Sequence, residues 1–396
     1  MLGVAVRIAE RMGIHSEAAS AKYPPFEIEM RRRLWWALSL FDTRIGMLAD
    51  YKNLGLAPTW DCKPPLNVND SELWPDMKEL PTVADQQKPS EAVFAVVRAV
   101  LGDAIRYADF HLDFSGAAYK GFAKKMELST LEQTVEDRYL KRCDSENPLH
   151  LITTWTARAF LARCRLMEYY SLHGSACLQP TESQRDASMG YALSYLESDT
   201  KMAASPRLRG YDWLLRMYFP LPGYIHVIYD LRTRPLSKHA DRAWEVMGAN
   251  CDGRMRLLDD MNNPRFKSLA ALILLAWEAC VASHRDVHRE APTPPRLVSR
   301  IQAARAQRDV EVAQEGGGDE ARREGAVEPA AEGRTVDPGD LTMIDPSTAM
   351  PMGSVDAEFF QYGMDWQSGS SNMMDMFGDA QLNWAAMSWD LGERQQ

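Results

Sequence analysis

The amino-acid sequence predicts an all-α fold, and three observations support this prediction. Apolar side chains recur at steps of three and four in one segment after another, which places them along one face of a helix. Prolines and Ser or Thr caps, which are helix-start signals, precede several of these segments. Strand-like alternation of apolar and polar residues is absent from the sequence. We therefore expect a large multi-helix domain of roughly ten helices over residues 1–290.

The composition is that of an ordinary globular protein. Of the 396 residues, 45% are hydrophobic and 25% are charged. A formal net charge of −10 argues against a broadly basic surface for nucleic acid. The longest apolar run, residues 269–276, is shorter than the ~20 residues that a membrane span needs, so no membrane partner is expected. The six cysteines are scattered without C-x-x-C spacing, which predicts neither a zinc ribbon nor a disulfide framework.

The most informative stretch is residues 26–44, which follow two prolines suited to a helix start. Glu27 and Glu29 lie in the first predicted turn, where negative charge suits the helix dipole. They precede a run of three arginines at spacings where helix neighbours meet: Arg31, Arg32 and Arg33. The apolar residues that share one face are Met30, Leu34, Leu38, Phe41, Ile45 and Leu48. This stretch is therefore predicted to be a core helix.

Three further residues suggest that this helix is central to the fold. Trp35 and Trp36 point about 100° apart on a helix, so the apolar arc is wide and faces two neighbours. Asp42 has no basic residue three or four positions away, so a buried Asp42 needs a partner from elsewhere. A buried Asp42 that is paired within the core is a simpler interpretation than a catalytic Asp42. We expect Asp42 to lie against the loop of residues 64–70.

The remaining helices follow in chain order. They are predicted near residues 2–12, 90–110, 128–139, 149–173, 182–196, 208–231, 238–251 and 265–288. Gly13 is expected to end the first helix. Thr181 and Gln184 have the spacing of a capping box at the start of another. Pro220 and Pro222 are expected to kink or split the segment that contains them.

The composition changes after residue 290. Residues 291–336 are rich in Pro, Ala, Gly, Arg and Glu, which predicts a disordered linker. Residues 337–396 form a tail in which acidic residues are interspersed with bulky apolar ones, and Arg394 is its only basic residue. This composition is typical of disordered activation segments that fold in a partner's groove, although a tail helix docked on its own domain is the alternative. The candidate contact residues are Phe359, Phe360, Trp366, Met376, Phe377, Trp384 and Trp389.

One weak pattern for a metal lies near the end of the predicted domain. Cys280, His284 and His288 are four residues apart on one helix face and could coordinate a metal ion. In the zinc-protease pattern the residue after the first histidine is a catalytic glutamate, but here it is Arg285. The simpler interpretation is a polar helix end.

A second weak pattern is acidic. Asp259, Asp260 and Asn263 loosely imitate the aspartate-rich magnesium motif of helical terpenoid synthases. Pro264 follows directly, so the three side chains need not share a face. No catalytic, cofactor or metal residue is therefore predicted, and an all-α metal-dependent enzyme remains only as an alternative.

The helix of residues 26–44 and its surroundings resemble the fungal-specific transcription factor domain. This family is also called the xylanolytic transcriptional activator regulatory domain, or the middle homology region of binuclear zinc cluster regulators. The residues that resemble its signature are Glu29, Arg31, Arg32, Arg33, Leu34, Trp35, Trp36 and Asp42. The loop that follows is also similar to the family, at Pro65, Asn67, Asn69 and Asp70. So is the predicted helix of residues 2–12, which precedes residues 26–44. The resemblance covers residues 1 to about 80.

The resemblance implies a nuclear fungal regulator of RNA polymerase II-dependent expression of a pathway or gene cluster, and not an enzyme. Family members usually carry an N-terminal cluster of six closely spaced cysteines that binds two zinc ions and reads DNA. The cysteines of this sequence do not have that spacing, so no cofactor is expected, and zinc would be bound only if such a cluster exists N-terminal to this sequence. Direct DNA binding by this chain is not expected.

Two kinds of partner are expected from the resemblance and the tail. The transcription machinery or a coactivator would bind the tail of residues 337–396. A full-length zinc-cluster regulator would supply the DNA-binding module. In the alternative interpretation, the chain regulates only by associating with such a regulator.

Overall fold

The structure is a computed structural model, and it confirms the all-α prediction. The residues that it describes are 1–48, 59–81, 88–105, 127–173, 180–255, 264–288 and 291–307. In these ranges the regular elements are helices and no residue lies in a strand. None of the helices found there combines the length and the apolar character that crossing a membrane requires. The described residues up to Ile301 belong to one compact unit.

The α-helices are numbered in chain order. Their bounds are α1 Leu2–Arg11, α2 Glu17–Ser20, α3 Pro25–Leu48, α4 Val93–Ile105, α5 Leu128–Arg138, α6 Pro148–His173, α7 Glu182–Ala203, α8 Asp212–Met217, α9 Leu221–Thr233, α10 Ala240–Arg254 and α11 Pro264–His288. A further helix, α12, covers residues 296–307.

Local sequence signals explain several of these bounds. The Thr181 hydroxyl accepts a hydrogen bond from the backbone N–H of Gln184, and the Gln184 side chain accepts one from Thr181, which forms the predicted capping box. Gly13 has φ +68°, and a Cβ there would lie 3.0 Å from Ala19 Cβ, so glycine suits the turn after α1. The predicted break at Pro220 is confirmed, because α8 ends before it and α9 begins directly after it.

Buried side chains form several clusters. The largest joins α6, α7, α9, α10, α11 and α12. Within it the rings of Trp244 and Trp277 meet edge to face, with centroids 5.7 Å apart. A second cluster joins α4, α5 and α6. A third, built on Trp35, Trp36 and Trp60, joins α1 and α3 to the loop of residues 59–62. The tryptophan-rich first part of the chain therefore has its own core.

The structure corrects the predicted disordered linker at its start. Residues 296–307 form α12, and Leu297, Val298 and Ile301 are buried in the largest cluster. Arg300 pairs with Asp252 of α10. The prediction of disorder rests on the average composition of residues 291–336. That average does not show that Leu297, Val298 and Ile301 have helical spacing. The helical domain therefore extends beyond residue 290.

The rest of that linker and the whole tail lie outside the described residues. This applies to residues 308–336 and 337–396, and with them to the tail candidates Phe359, Phe360, Trp366, Met376, Phe377, Trp384 and Trp389.

A buried ion pair joins α7 to α10. Arg254 Nε donates to Asp199 Oδ2 at 2.6 Å, and both side chains are almost fully enclosed. Arg254 also donates to the carbonyl oxygens of Leu215 and Tyr218, at 3.2 and 2.7 Å. Asn250 donates to Asp199 Oδ2 at 2.8 Å. Burial acts to lower the pKa of Arg254, but the Asp199 carboxylate outweighs it and raises that pKa above its ordinary value.

Tyr218 links this ion pair to the first helices of the chain. The Arg44 guanidinium of α3 lies over the Tyr218 ring, 4.5 Å from its centroid. Arg98 of α4 donates to the Tyr218 hydroxyl at 3.0 Å. The Tyr218 carbonyl in turn accepts from Arg254. One residue after α8 therefore contacts α3, α4 and α10.

His226 of α9 is a buried histidine enclosed by aromatic rings of α6. Its Nδ1 lies 2.5 Å from the Tyr170 hydroxyl, and its ring meets Tyr169 with centroids 5.8 Å apart. Burial, together with the charge of Arg234, lowers the pKa of His226 to about 3. A histidine in an unfolded chain has a pKa near 6.5, so the unfolded chain binds the proton in the pH range where the folded chain does not.

His226 should therefore make the protein less stable in acid. As pH falls from 6.5 towards 3, the free energy of unfolding is expected to drop by ~1.4 kcal/mol per pH unit from this group. Urea unfolding at several pH values would measure the slope in the wild type and in His226→Gln. The carboxylates titrate in both proteins, so the difference between the slopes isolates His226. Equal slopes would show that His226 titrates alike in both states.

Candidate functional site

The candidate site lies where the first half of α3 packs against α1, α2 and the loop of residues 59–70. The structure brings together most of the residues that sequence analysis selected there. Arg31, Arg32, Trp35 and Trp36 are buried, as are Pro65 and Asn67 of the loop. Arg33 is half-buried and Asp70 is exposed. The site is thus a helix–loop contact.

Glu29 is the buried centre of this contact. Its Oε1 accepts hydrogen bonds from Arg33 Nε and from the backbone N–H of Leu66, both at 3.1 Å. Arg32 Nη1 lies 4.0 Å from Glu29 Oε2. Burial raises the pKa of Glu29, and the two hydrogen bonds together with the charges of Arg33 and Arg32 only partly offset that effect. A carboxylate without solvent exposure therefore ties the helix to the loop.

Arg31 and Arg32 attach α3 to the elements that precede it. Arg31 donates to the Met12 carbonyl at 3.2 Å and lies over the Tyr23 ring, 3.7 Å from its centroid. Arg32 pairs with Glu17 of α2, with Nε and Oε2 3.2 Å apart. Partial burial acts to raise the pKa of Glu17, but the bonds from Arg32 and from the loop backbone hold it below its ordinary value.

The tryptophans build the apolar half of the site. Trp35 and Trp36 each meet Trp60 edge to face, with centroids 5.6 and 6.2 Å apart. Trp36 Nε1 donates to the Lys63 carbonyl at 2.9 Å. The wide apolar arc predicted for α3 does face two neighbours, since the cluster includes side chains from α1 and from the loop.

The far end of the loop is anchored by Asn67. Its Nδ2 donates to the Lys88 carbonyl at 2.8 Å, and its Oδ1 accepts from the Ser90 hydroxyl at 2.8 Å. Arg33 Nη1 donates to Asp70 Oδ1 at 2.7 Å, but the Asp70 side chain is 75% exposed. The two loop residues therefore differ in burial although both belong to the selected set.

This difference predicts unequal effects of two alanine substitutions. Asn67→Ala should lower the free energy of unfolding by about 1–3 kcal/mol, because it removes the acceptor for the hydroxyl and backbone N–H of the buried Ser90 and the donor to the Lys88 carbonyl. Asp70→Ala should cost less than about 1 kcal/mol, because it removes a solvent-exposed ion pair. Chemical denaturation of both variants measures the two costs. A larger loss for Asp70→Ala would contradict the assignment of Asn67 as the anchor.

Asp42 lies further along α3, where it is half-buried and has an interaction partner. The loop contacts described above are made by Glu29, Arg33 and Trp36. The expectation that Asp42 lies against residues 64–70 stays a prediction. So does the loss of ~1–3 kcal/mol for Asp42→Ala if its carboxylate is buried there.

One expectation for α3 is wrong. The apolar face that sequence analysis treated as the core side contains Met30, Leu34, Phe41 and Ile45, and all four side chains are exposed. The buried side instead carries the tryptophans and the ion-paired residues of the site. Charged side chains can be buried there because acids from within the domain pair with the arginines, so hydrophobic spacing alone assigned the wrong face.

Only one of the two weak metal patterns, that of Cys280, His284 and His288, lies within the described residues. Cys280 Sγ lies 3.6 Å from His284 Nδ1, and that nitrogen is also 2.9 Å from the Cys280 carbonyl oxygen. Within the ranges that the structure describes, no group of three or more His, Cys, Asp and Glu residues is placed to hold a metal ion. The acidic pattern of Asp259, Asp260 and Asn263 lies outside those ranges.

Three contributors to the described contacts could not be predicted from the sequence. Glu17 is 15 positions from Arg32, and Trp60 is 24 positions from Trp36 in the sequence. Asp199 and Arg254 pair between two helices and are 55 positions apart in the sequence. Spacing rules detect partners three or four positions away, so none of these pairs had a local signal.

The part of the sequence that builds this site matches a known family. Residues 1–89, which contain α1, α2, α3 and the loop, match the model of the fungal specific transcription factor domain. No solved structure matches the chain.

Several curated relatives are also similar to the chain. Transcriptional regulator AacuB of Aspergillus aculeatus is 44% identical over 305 residues, which is 75% of this chain and 41% of that protein. Transcriptional regulator nsrM of Aspergillus novofumigatus is 40% identical over 291 residues, or 70% of this chain and 38% of that protein. The aurofusarin cluster transcription factor aurR2 of Gibberella zeae is 30% identical over 317 residues, or 77% of this chain and 47% of that protein.

The chain thus spans less than half the length of these relatives. The matched segment coincides with the helix–loop contact centred on Glu29, and the similarity to the relatives extends over most of the chain. With the signature residues and the matched segment in agreement, residues 1–89 of this chain belong to the fungal specific transcription factor domain family.

Proposed function

We propose that this chain is the regulatory part of a nuclear fungal transcription regulator that controls RNA polymerase II-dependent expression of a biosynthetic gene cluster. The observation that carries the proposal is the match of residues 1–89 to the family, over the segment where the arginine and tryptophan contacts hold α3 to the loop. Relatives named as transcriptional regulators, one of them as a cluster transcription factor, support it. A regulatory role, and not an enzymatic one, is part of the proposal.

The signature residues would hold the domain together and would not contact DNA. Arg31 pairs with Glu27, Arg32 with Glu17, and Arg33 with Glu29 and Asp70. Each guanidinium of the basic triplet therefore has a carboxylate partner inside the domain. Phosphate binding would have to compete with these pairs, two of which are largely removed from solvent. DNA contact is therefore assigned to a segment outside this sequence or to a partner protein.

Deletion of the gene tests the proposal directly. RNA sequencing of the deletion strain should show lower transcript levels for a contiguous set of biosynthetic genes. Reintroducing the intact gene should restore them, whereas a gene carrying Trp36→Ala should restore them poorly, because the domain would be destabilised. Leu172→Glu on the exposed surface is the matched control and should restore them fully. Unchanged transcripts after deletion would contradict the proposal.

The tail of residues 337–396 is assigned to the recruitment of the transcription machinery or a coactivator. Support comes from its acidic and aromatic composition, since acidic residues keep bulky apolar side chains soluble and available to a partner. Fused to an unrelated DNA-binding domain, the tail should activate a reporter gene. The control fusion replaces the apolar candidates by alanine: Phe359, Phe360, Trp366, Met376, Phe377, Trp384 and Trp389. Equal expression of both fusions without reporter activation would remove the activating role.

A second candidate is a regulator that acts only by associating with a zinc-cluster transcription factor. The scattered cysteines favour it, because the sequence itself holds no closely spaced cysteine cluster for zinc. In this case the full chain should recover a zinc-cluster protein from a nuclear extract. A single polypeptide that carries both the cluster and this sequence would instead support the leading proposal.

A further inference from the structure

The segment before α12 contains a threonine with a distinctive sequence around it. Residues 291–296 are Ala-Pro-Thr-Pro-Pro-Arg, so Thr293 is followed directly by Pro294 and, three positions later, by Arg296. In the whole sequence two Ser or Thr residues directly precede a proline, and they are Ser205 and Thr293. Of these two, Thr293 is the one with a basic residue three positions later. This hydroxyl therefore differs from every other one in the sequence.

The segment around Thr293 is exposed and irregular. Thr293 and Pro294 are exposed, and the Arg296 side chain is 81% exposed. Residues 291–295 lie in neither a helix nor a turn, and α12 begins at Arg296. A residue that precedes proline is biased towards extended backbone, and prolines follow both Thr293 and Pro294. The Thr293 hydroxyl is therefore presented on an accessible, extended segment, a form that the groove of an enzyme can bind.

These features match the substrate of one class of protein kinase. A kinase that modifies Thr293 must accept Pro294, which has no backbone N–H to donate. Proline-directed kinases do so, and those of the cyclin-dependent class also favour a basic residue at the position of Arg296. With ATP as the donor, a bond forms between Thr293 Oγ1 and the γ-phosphorus, while the bond from that phosphorus to the β–γ bridging oxygen breaks. ADP leaves, and the hydroxyl proton passes to the catalytic aspartate of the kinase.

We propose that Thr293 is phosphorylated by a proline-directed protein kinase and that the phosphate strengthens the attachment of α12. A phosphothreonine carries a charge of about −1.5 to −2 at pH 7 and three acceptor oxygens. It would lie three positions before Arg296, whose guanidinium can donate to those oxygens. It would also lie close to the start of α12, where negative charge suits the helix dipole.

Arg296 is available to a phosphate because its present partner has a second arginine. Arg296 Nη1 lies 3.5 Å from Asp252 Oδ2, and Arg300 pairs with the other oxygen of the same carboxylate. If Arg296 turns to the phosphate, Arg300 still balances Asp252. The helix that gains this contact buries three apolar side chains in the largest cluster: Leu297, Val298 and Ile301. A firmer first turn of α12 would therefore hold these side chains in place.

Phosphorylation of the purified full chain tests the site. A cyclin-dependent kinase with ATP should modify Thr293, and trypsin should then release residues 290–296 with one added phosphate. Thr293 is the only hydroxyl residue of that peptide, so its mass assigns the site. Pro294→Ala should slow incorporation into the peptide at least roughly 10-fold. Thr130→Ala is the matched control and should leave the rate unchanged, because Thr130 is exposed but precedes a leucine. An unmodified peptide from the folded chain, or an equal rate in Pro294→Ala, would overturn the proposal.

The modification is also expected in the cell. The full chain isolated from its native cells in the presence of phosphatase inhibitors should yield the peptide of residues 290–296 partly in its phosphorylated form. A peptide that stays unmodified in every growth phase would refute Thr293 as a phosphorylation site.

Hydrogen exchange of the phosphorylated full chain tests the effect on α12. The amides of α12 should exchange about 2- to 5-fold more slowly than in the unmodified chain, the range expected for a negative charge at a helix start. Arg296→Ala, phosphorylated to completion by longer incubation, should show a smaller slowing, because the phosphate loses its arginine. The amides of α6 are the internal reference and should not change. Unchanged or faster exchange in α12 after complete phosphorylation would contradict the proposed effect on the helix.

Discussion

Asp199→Ala should lower the free energy of unfolding by about 3–5 kcal/mol, the cost of leaving a buried charge without its partner. Arg254 would keep its place between α7 and α10 but would lose the carboxylate that raises its pKa. Its remaining acceptors, the carbonyls of Leu215 and Tyr218, are neutral and cannot balance the charge. Urea unfolding followed by circular dichroism measures the loss.

Two controls separate this effect from ordinary loss of a surface contact. Glu146→Ala breaks the exposed pair with Arg207 and should cost less than about 1 kcal/mol. The double variant Asp199→Leu/Arg254→Met removes both charges and should recover part of the stability of Asp199→Ala. A double variant less stable than the single one would show that packing, and not the unbalanced charge, explains the loss.

Trp36→Ala should destabilise the chain by about 3–5 kcal/mol, as expected for truncating a large buried aromatic side chain. Trp36 is 2% exposed and packs against Trp60. A Cβ placed on Gly102 of α4 would lie 3.4 Å from the Trp36 ring, so α4 approaches this side chain closely. The cavity left by alanine therefore cannot close without moving both α4 and the loop. Chemical denaturation measures the cost.

Trp36→Phe separates packing from hydrogen bonding at the same position. It keeps an aromatic ring but removes the donor to the Lys63 carbonyl, so we expect a loss of about 1–3 kcal/mol. Trp213→Ala is the control, because Trp213 is 55% exposed and should contribute less than about 1 kcal/mol. If Trp36→Ala and Trp213→Ala cost the same, the tryptophan cluster is not a core of the domain.

Much of the fold could be predicted because its determinants are local. Helix periodicity, the Thr181 capping box and the break at Pro220 depend on residues close together in sequence, and the structure shows all three. The prediction failed at α12, where averaged composition concealed Leu297, Val298 and Ile301. These residues form a helix because the largest cluster buries them. The composition of residues 291–336 contains no information about that packing.

Most of the residues selected on α3 and the loop lie together in the structure, but the buried side of α3 could not be predicted. The arginines, tryptophans and loop residues were selected together because they resemble a family signature. Which side of α3 is buried depends on Glu17 and Trp60, which come from other parts of the chain. The pair with Glu17 compensates the burial of Arg32, whereas Leu34 lies on the exposed side of the same helix.

The position of Tyr218 has a consequence for how the protein unfolds. Residues 1–89 match the family, yet Arg44 lies over the Tyr218 ring and the Tyr218 carbonyl holds Arg254. Residues 1–89 are therefore not expected to unfold independently of the helices that follow them. Amide hydrogen exchange should show protected amides of α3 and α10 opening in one cooperative step. Tyr218→Ala should uncouple them, so that the α3 amides exchange earlier than those of α10.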